Sequence, residues 1–156
     1  MTRTIRTTTF SMLIALVLLA VTVTSAFAAP PQNLHIEVDE VIGTSGETFF
    51  ASGPAVGSGL VCATGTVDDL SIVVSSPGGA TTILHVLKRF YCADSSGTFD
   101  VRMVVHLDNT THETTARWRI AGGTGAYTSL RGNGQLAGTP IVPGTSIHDV
   151  YDGRVN

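Results

Sequence analysis

The stretch GGTGAYTSLRGNGQLAG, residues 122–138, holds six glycines in seventeen residues and follows a strand-like run that contains the only tryptophan. A Walker loop would need a lysine here, and the stretch has none. The dinucleotide fingerprint would need a third glycine where Thr128 stands, with a helix after it. The stretch therefore predicts a structural corner, in which Gly122, Gly123 and Gly125 allow a sharp turn with positive φ.

The residues after this turn predict a bent strand. Residues 126–130 are expected to form one tight turn that places Tyr127 and Leu130 in the core. Gly132 and Gly134 then permit a bulged, strongly curved strand, as the corner of a barrel requires.

Period-two alternation of apolar and polar residues is clearest at 33–39, 99–107 and 115–120. Such alternation is typical of strands with one buried face. We predict strands near 33–42, 47–52, 58–66, 69–75, 81–92, 98–107, 112–121 and 146–155, with a further segment at 132–138. This pattern predicts an all-β fold, a single antiparallel lipocalin-like barrel of about eight strands with a glycine-rich corner.

One hairpin of this barrel can be aligned by its turn. A four-residue loop at 108–111 places Val101 opposite Trp118 and Met103 opposite Ala116. A one-residue slip would turn Trp118 to the other face. Trp118, Met103 and Val101 are therefore predicted core residues.

Residues 1–28 are typical of a secretory signal peptide. Two arginines precede an apolar run from Phe10 to Val23, and Ala26-Phe27-Ala28 fits a cleavage site. The run is shorter than the roughly 20 apolar residues of a spanning helix. We predict that residues 29–156 form one secreted domain that has no stable membrane anchor after cleavage.

Charge and histidine spacing limit the partners of this domain. Without the leader, seven basic and twelve acidic residues remain, a formal charge of −5. Nucleic-acid binding needs a basic face, so we predict no nucleic-acid partner. The five histidines show no H-x-H or H-E-x-x-H spacing, so we predict neither a metal ion nor another cofactor.

The two cysteines, Cys62 and Cys92, form an even pair in a chain predicted to be exported. We predict that they form one disulfide bond. The alternative is a free nucleophilic cysteine, which would be favoured by a C-x-x-C motif that the sequence lacks.

Three segments carry a resemblance to a known family. WRIAGGTGAYTSLRGNGQLAGTP (118–140), DVYDGRV (149–155) and FYCADSSGTFDVRM (90–103) resemble bacterial secreted members of the allene oxide cyclase barrel-like superfamily, to which plant dirigent proteins belong. The resemblance runs from about Cys92 to Val155 and implies a β-barrel with a central cavity. It implies no particular reaction, because one fold hosts many functions.

The resemblance implies one candidate ligand-binding and catalytic position, Arg131 of the LRG step. An arginine there would bind an anionic or carbonyl group, or it would bond turn carbonyls and hold the corner. Tyr127 is either a core aromatic or a phenol that faces the cavity. Glu37 and Asp39 stand where enzymatic relatives have a carboxylate, but their alternation with Leu34, Ile36 and Val38 predicts a solvated face.

The doublet Lys88-Arg89 is the only pair of adjacent basic residues after the leader. On a strand, one of the two must leave the apolar interior or find a partner. We predict a strand end near the barrel rim.

Three functions are compatible with these observations. The first is binding of a small, mostly apolar molecule in the barrel cavity. The second is catalysis by a cofactor-independent cyclase or isomerase that guides a reactive intermediate. The third is a filled barrel that serves as a structural or surface-interaction module. The sequence leaves a homodimer open.

Overall fold

Eight antiparallel strands form one closed barrel in a computed structural model that describes residues 30–76 and 78–156. Each strand pairs with its neighbours in the chain, and the last strand closes onto the first. The strands are β1 (Gln32–Val41), β2 (Glu47–Ser52), β3 (Thr64–Ser76), β4 (Thr81–Cys92), β5 (Thr98–Asp108), β6 (Thr114–Gly123), β7 (Gly132–Val142) and β8 (Ser146–Val155). The predicted all-β, eight-stranded antiparallel barrel is confirmed.

Two short helical turns interrupt the loops of the described chain: α1 (Pro54–Gly57) and a 3-10 turn at Gly125–Tyr127. Within the described ranges, the structure contains no helix that is long and apolar enough to cross a membrane. The predicted signal peptide, residues 1–28, lies outside the described residues.

Two predicted strand boundaries were wrong. The segments 58–66 and 69–75 were predicted as two strands, but β3 is continuous from Thr64 to Ser76. Leu70 is an extra residue of β3 between two positions that pair with β4. The strand therefore continues past the acidic residues Asp68 and Asp69. The segment 132–138 is the first part of a full strand, β7.

The β5–β6 hairpin keeps the predicted faces but not the predicted register. Met103 pairs with Trp118, and Val101 pairs with Ile120, so the alignment is displaced by two residues. The loop has four residues as predicted, but it begins at Asn109, because the Asp108 amide still donates to the Glu113 carbonyl.

The sequence did not reveal how this loop closes. The Asp108 carboxylate accepts hydrogen bonds from the amides of Thr110 and Thr111 at 2.7 and 2.9 Å. His112 adopts φ 61°, a left-handed conformation that allows the chain to turn back. These features place the loop one residue later than predicted.

Aromatic side chains fill one end of the barrel. The rings of Phe90 and Phe99 stack with centroids 4.8 Å apart, and Phe49, Tyr127 and Tyr151 pack edge-on around them. The predicted core residues Trp118, Met103 and Val101 are all buried. Tyr127 and Leu130 are buried as well, as the predicted tight turn requires.

The disulfide bond lies at this aromatic end of the barrel. Cys62 lies in the loop between β2 and β3, Cys92 ends β4, and the two are bonded with their Cα atoms 5.9 Å apart. The predicted pairing is confirmed. The bond ties the irregular segment after α1 to the sheet.

Most glycines of the corner allow other atoms to pack closely against the backbone, and only one of them allows a turn of the chain. Of the five predicted turn glycines, only Gly125 has a positive φ, 58°, so the prediction for Gly122 and Gly123 was wrong. Gly134 and Gly132 belong to β7, which shows no register shift beside them. At Gly134 a Cβ would overlap the Asp152 carbonyl and the indole of Trp118.

We expect Gly134→Ala to lower the free energy of unfolding by about 3 kcal/mol, because the added methyl displaces backbone or the buried indole. Urea unfolding followed by the fluorescence of Trp118 measures this change. Gly122→Ala is the matched control, since nothing lies within 4 Å of its Cβ position. Equal stability losses in both variants would contradict the close-packing role of Gly134.

Candidate functional site

The other end of the barrel is hollow. A cavity of about 280 Å³ opens between the β1–β2, β5–β6 and β7–β8 loops. Its walls are mostly apolar and include Val41, Ile42, Val67, Ile72, Leu84, Val86, Met103, Val105, Leu107, Leu136 and Ile147. The aromatic end and the cavity therefore divide the barrel interior between them.

Polar side chains form the bottom of this cavity. We call them the floor cluster, and it consists of Glu40, Asp69, Lys88, Asp149 and the hydroxyl of Tyr151. Strand alternation places them there. Glu40 continues the inward series of Leu34, Ile36 and Val38, while Lys88 and Asp149 each lie two residues from an inward apolar or aromatic residue.

Lys88, the only lysine of the chain, is the centre of the floor cluster. It is only 6% exposed, and its Nζ lies 2.6 Å from Glu40 Oε2 and 2.7 Å from Asp69 Oδ1. The Asp69 contact has ion-pair distance but not hydrogen-bond alignment. The prediction that a strand end carries this charge was wrong: Lys88 lies within β4 and has found partners inside the barrel.

Its neighbour in the doublet lies outside. Arg89 donates from Nε and Nη2 to the two carboxylate oxygens of Asp100 at 2.7 and 2.9 Å. This ion pair joins two residues that lie directly opposite each other in the β4–β5 ladder.

The pKa values of the Lys88 pair reflect both burial and attraction. Burial disfavours the ammonium, but Glu40 and Asp69 outweigh it and raise the pKa of Lys88. Burial raises the pKa of Glu40 more than Lys88 lowers it. Lys88 is therefore the firmly charged member of the floor cluster.

Asp149 is the buried acid without a partner. It is 6% exposed, and its Oδ1 has no hydrogen-bond partner among the described residues. Burial and the nearby Glu40 raise the pKa of Asp149 from 3.8 to about 7. Its side chain occupies space that Gly138 leaves open on β7, because a Cβ on Gly138 would overlap Oδ1.

Tyr151 borders the same floor from the aromatic end. Its hydroxyl is buried without a hydrogen-bond partner in the described chain. Burial, together with Asp149 and Glu40, raises its pKa well above the usual value. The phenol is therefore neutral and can donate or accept a hydrogen bond.

The two sequence-predicted ligand residues lie away from this cavity. Arg131 is exposed beside the aromatic end, and its Nη1 donates to the Leu130 carbonyl at 2.8 Å. Tyr127 is buried, with its hydroxyl 2.6 Å from Ser96 Oγ. The Arg131 contact fits the corner-holding alternative and the burial of Tyr127 fits the core alternative, and ligand binding by these two residues stays a prediction.

Glu37 and Asp39 lie on the outer face, as their alternation predicts. Each contacts a histidine: Glu37 Oε1 lies 3.1 Å from His35, and Asp39 Oδ1 lies 2.6 Å from His148. Across residues 30–76 and 78–156, no group of three or more His, Cys, Asp or Glu has the arrangement of a metal site.

The floor cluster has one signal in the sequence: a charged residue at a strand position whose neighbours two residues away are apolar or aromatic. Leu84, Val86 and Phe90 share a phase with Lys88, and Ile147 and Tyr151 share one with Asp149. Applying the alternation rule to charged residues, as well as to apolar ones, would have identified both.

No family model, curated protein or solved structure matches this chain. The fold and site define a β-barrel with one closed end and one hollow end, and the resemblance to the allene oxide cyclase barrel-like superfamily stays a prediction.

Asp149 predicts a specific pH dependence of stability. Its folded pKa is raised, so the protonated form stabilises the fold, and this contribution is lost as pH rises from about 4 to 7. Relative to Asp149→Asn, wild-type protein should lose up to about 4 kcal/mol across this range. Urea unfolding at several pH values measures it.

Asp152→Asn is the control between about pH 4 and 6, because Asp152 lies on the same strand but faces solvent, and His35, whose pKa Asp152 raises, titrates above that range. The control should retain the wild-type pH dependence there. Parallel stability curves for wild type and Asp149→Asn would show that Asp149 titrates normally in the folded protein.

Proposed function

We propose that the protein binds a small, mostly apolar molecule in the hollow end of its barrel. The observation that carries this proposal is a preformed cavity with apolar walls and a few converging polar groups, the usual form of a small-molecule site. An open cavity favours binding over the alternative of a filled barrel that acts as a structural or surface-interaction module.

The size and rim of the cavity support a small apolar ligand. Its volume of about 280 Å³ is close to the lower end of the 300–1,000 Å³ range of ligand pockets. Val41, Ile42 and Ile72 border the mouth and are about half exposed or more. A ligand that covers them removes apolar surface from water, at roughly 25 cal/mol per Å².

We propose that binding takes place outside the cell. The disulfide bond between Cys62 and Cys92 is compatible with an oxidising compartment, and the predicted leader supports export. The closed barrel is also compatible with the proposed membership of the allene oxide cyclase barrel-like superfamily.

A second candidate is a cofactor-independent isomerase, which Asp149 favours. An acid that titrates near neutral pH inside an apolar cavity is suited to moving protons. In a β,γ-unsaturated ketone, the Asp149 carboxylate would take a proton from the α-carbon next to the carbonyl, while Lys88 Nζ donates a hydrogen bond to the developing dienolate oxygen. The Asp149 acid would then return the proton to the γ-carbon, which gives the conjugated ketone.

Filling the cavity should abolish binding. Leu84 lines the cavity and His85, the next residue, faces solvent, so Leu84→Trp and His85→Trp form a matched pair. We expect Leu84→Trp to weaken binding of the apolar fluorescent probe 1-aminoanthracene by at least about tenfold, and His85→Trp to leave it unchanged. Equal binding by both variants would refute the proposed binding site.

The isomerase candidate has its own test. Incubation with a β,γ-unsaturated ketone should yield the conjugated isomer, and Asp149→Asn should slow this by roughly 100-fold or more. The rate should rise with pH through about 7, where Asp149 becomes the base. A rate in Asp149→Asn equal to that of Asp152→Asn would exclude Asp149 as the base.

A further inference from the structure

The floor cluster lacks hydrogen-bond donors. Glu40 Oε1, Asp149 Oδ1 and Tyr151 Oη are buried and have no partner in the described part of the chain, and Asp69 Oδ1 has only its ion pair with Lys88. The carboxyl oxygens among them only accept hydrogen bonds when ionised. A ligand that brings N–H donors to the floor would therefore satisfy groups that the protein leaves unpaired.

The floor cluster also lacks positive charge. It contains three carboxyl groups and the single ammonium of Lys88, so its net charge is −2 when every group is ionised. Lys88 already lies within 2.7 Å of two carboxylates. Charges inside an apolar cavity interact more strongly than charges in water, so the excess negative charge attracts a cation more strongly there.

Asp149 marks where the missing group would lie. Its side chain lines the cavity, is 6% exposed, and carries an unpaired oxygen. Glycine at position 138 gives this carboxyl group room to lie against β7, and Thr114 Oγ1 lies against the same glycine. This buried, unpartnered acid is an observation separate from the acidic composition of the floor cluster.

On the basis of the proposed binding function, we infer that the ligand is an amphiphilic amine, whose ammonium lies against Asp149 and Glu40 and whose apolar body fills the cavity towards its rim.

Other head groups fit the floor cluster less well. A carboxylate or phosphate would meet three carboxyl groups, and Lys88 has two of them as partners already. A hydroxyl supplies one donor but leaves the charge imbalance. An ammonium supplies both the donors and the positive charge.

Binding of a cation would be linked to the ionisation of Asp149. The groups that face Asp149 are Glu40 from β1, Asp69 from β3, Lys88 from β4 and Tyr151 from β8; Glu47 and His112 line the same cavity, and His148, next to Asp149 in the chain, lies on the outer face beside Asp39. Since Asp149 titrates at about pH 7, an ammonium beside it should release about half a proton on binding at that pH.

The test is calorimetric titration of the mature, oxidised protein with octylamine, 1-octanol and octanoate, which share an apolar body and differ in head group. At pH 8 we expect octylamine to bind at least about tenfold more tightly than 1-octanol and octanoate to bind weakest. Asp149→Asn should lose this preference for octylamine. Asp152→Asn is the matched control and should behave like wild type.

Two outcomes separate this inference from the proposed function. If 1-octanol binds as tightly as octylamine, or if Asp149→Asn keeps the preference for the amine, the amine inference fails and the binding function stands. If none of the three compounds binds and Leu84→Trp does not alter probe binding, both fail.

A second measurement needs no variant. Titrations of wild-type protein with octylamine at pH 7, in two buffers of different ionisation enthalpy, give the number of protons released. About half a proton supports the contact with Asp149. Release of no proton with octylamine would overturn it.

Discussion

The ion pairs of Lys88 determine what the inside of this barrel can be. Its ammonium joins β4 to Glu40 of β1 across the interior and to Asp69, which lies directly opposite it on the adjacent strand β3. A buried ion pair seldom stabilises a fold more than well-packed apolar residues of the same volume would, because both charges lose their hydration. Apolar side chains at these positions would extend the aromatic packing and reduce the cavity. The charges are therefore better explained by what the cavity holds than by stability.

The hollow end depends on the closed end. Stacked and edge-on aromatic rings around Phe90 and Phe99, together with the disulfide bond at Cys92, concentrate packing and covalent closure at one end of the barrel. Every strand of the closed barrel pairs with two neighbours, so the strands that surround the cavity are paired as well. The barrel can therefore leave space at the opposite end without an unpaired sheet edge.

Alternation in the sequence predicted the barrel and its eight strands, and the even pair of cysteines predicted the disulfide bond, but alternation predicted the site poorly. The rule was applied to Glu37 and Asp39, which it correctly placed outside, and not to Glu40, which it places inside. The contact between β1 and β4, which brings Glu40 to Lys88, has no local signal, whereas Asp69 lies opposite Lys88 in the β3–β4 hairpin. The glycines misled for a related reason: a sequence does not distinguish Gly125, which turns the chain, from Gly134, which makes room for Trp118.

The polarity of the cavity gives any bound molecule a direction. The walls are apolar from the rim to the floor cluster, and charge lies only at the bottom and in a few residues of the mouth. A polar head group that enters loses its hydration in the apolar passage and regains hydrogen bonds only at the floor. An apolar body that follows it covers Ile42 and Ile72 at the rim, which water otherwise reaches. Head-first entry is thus the orientation in which both the unpaired oxygens and the exposed apolar rim find partners.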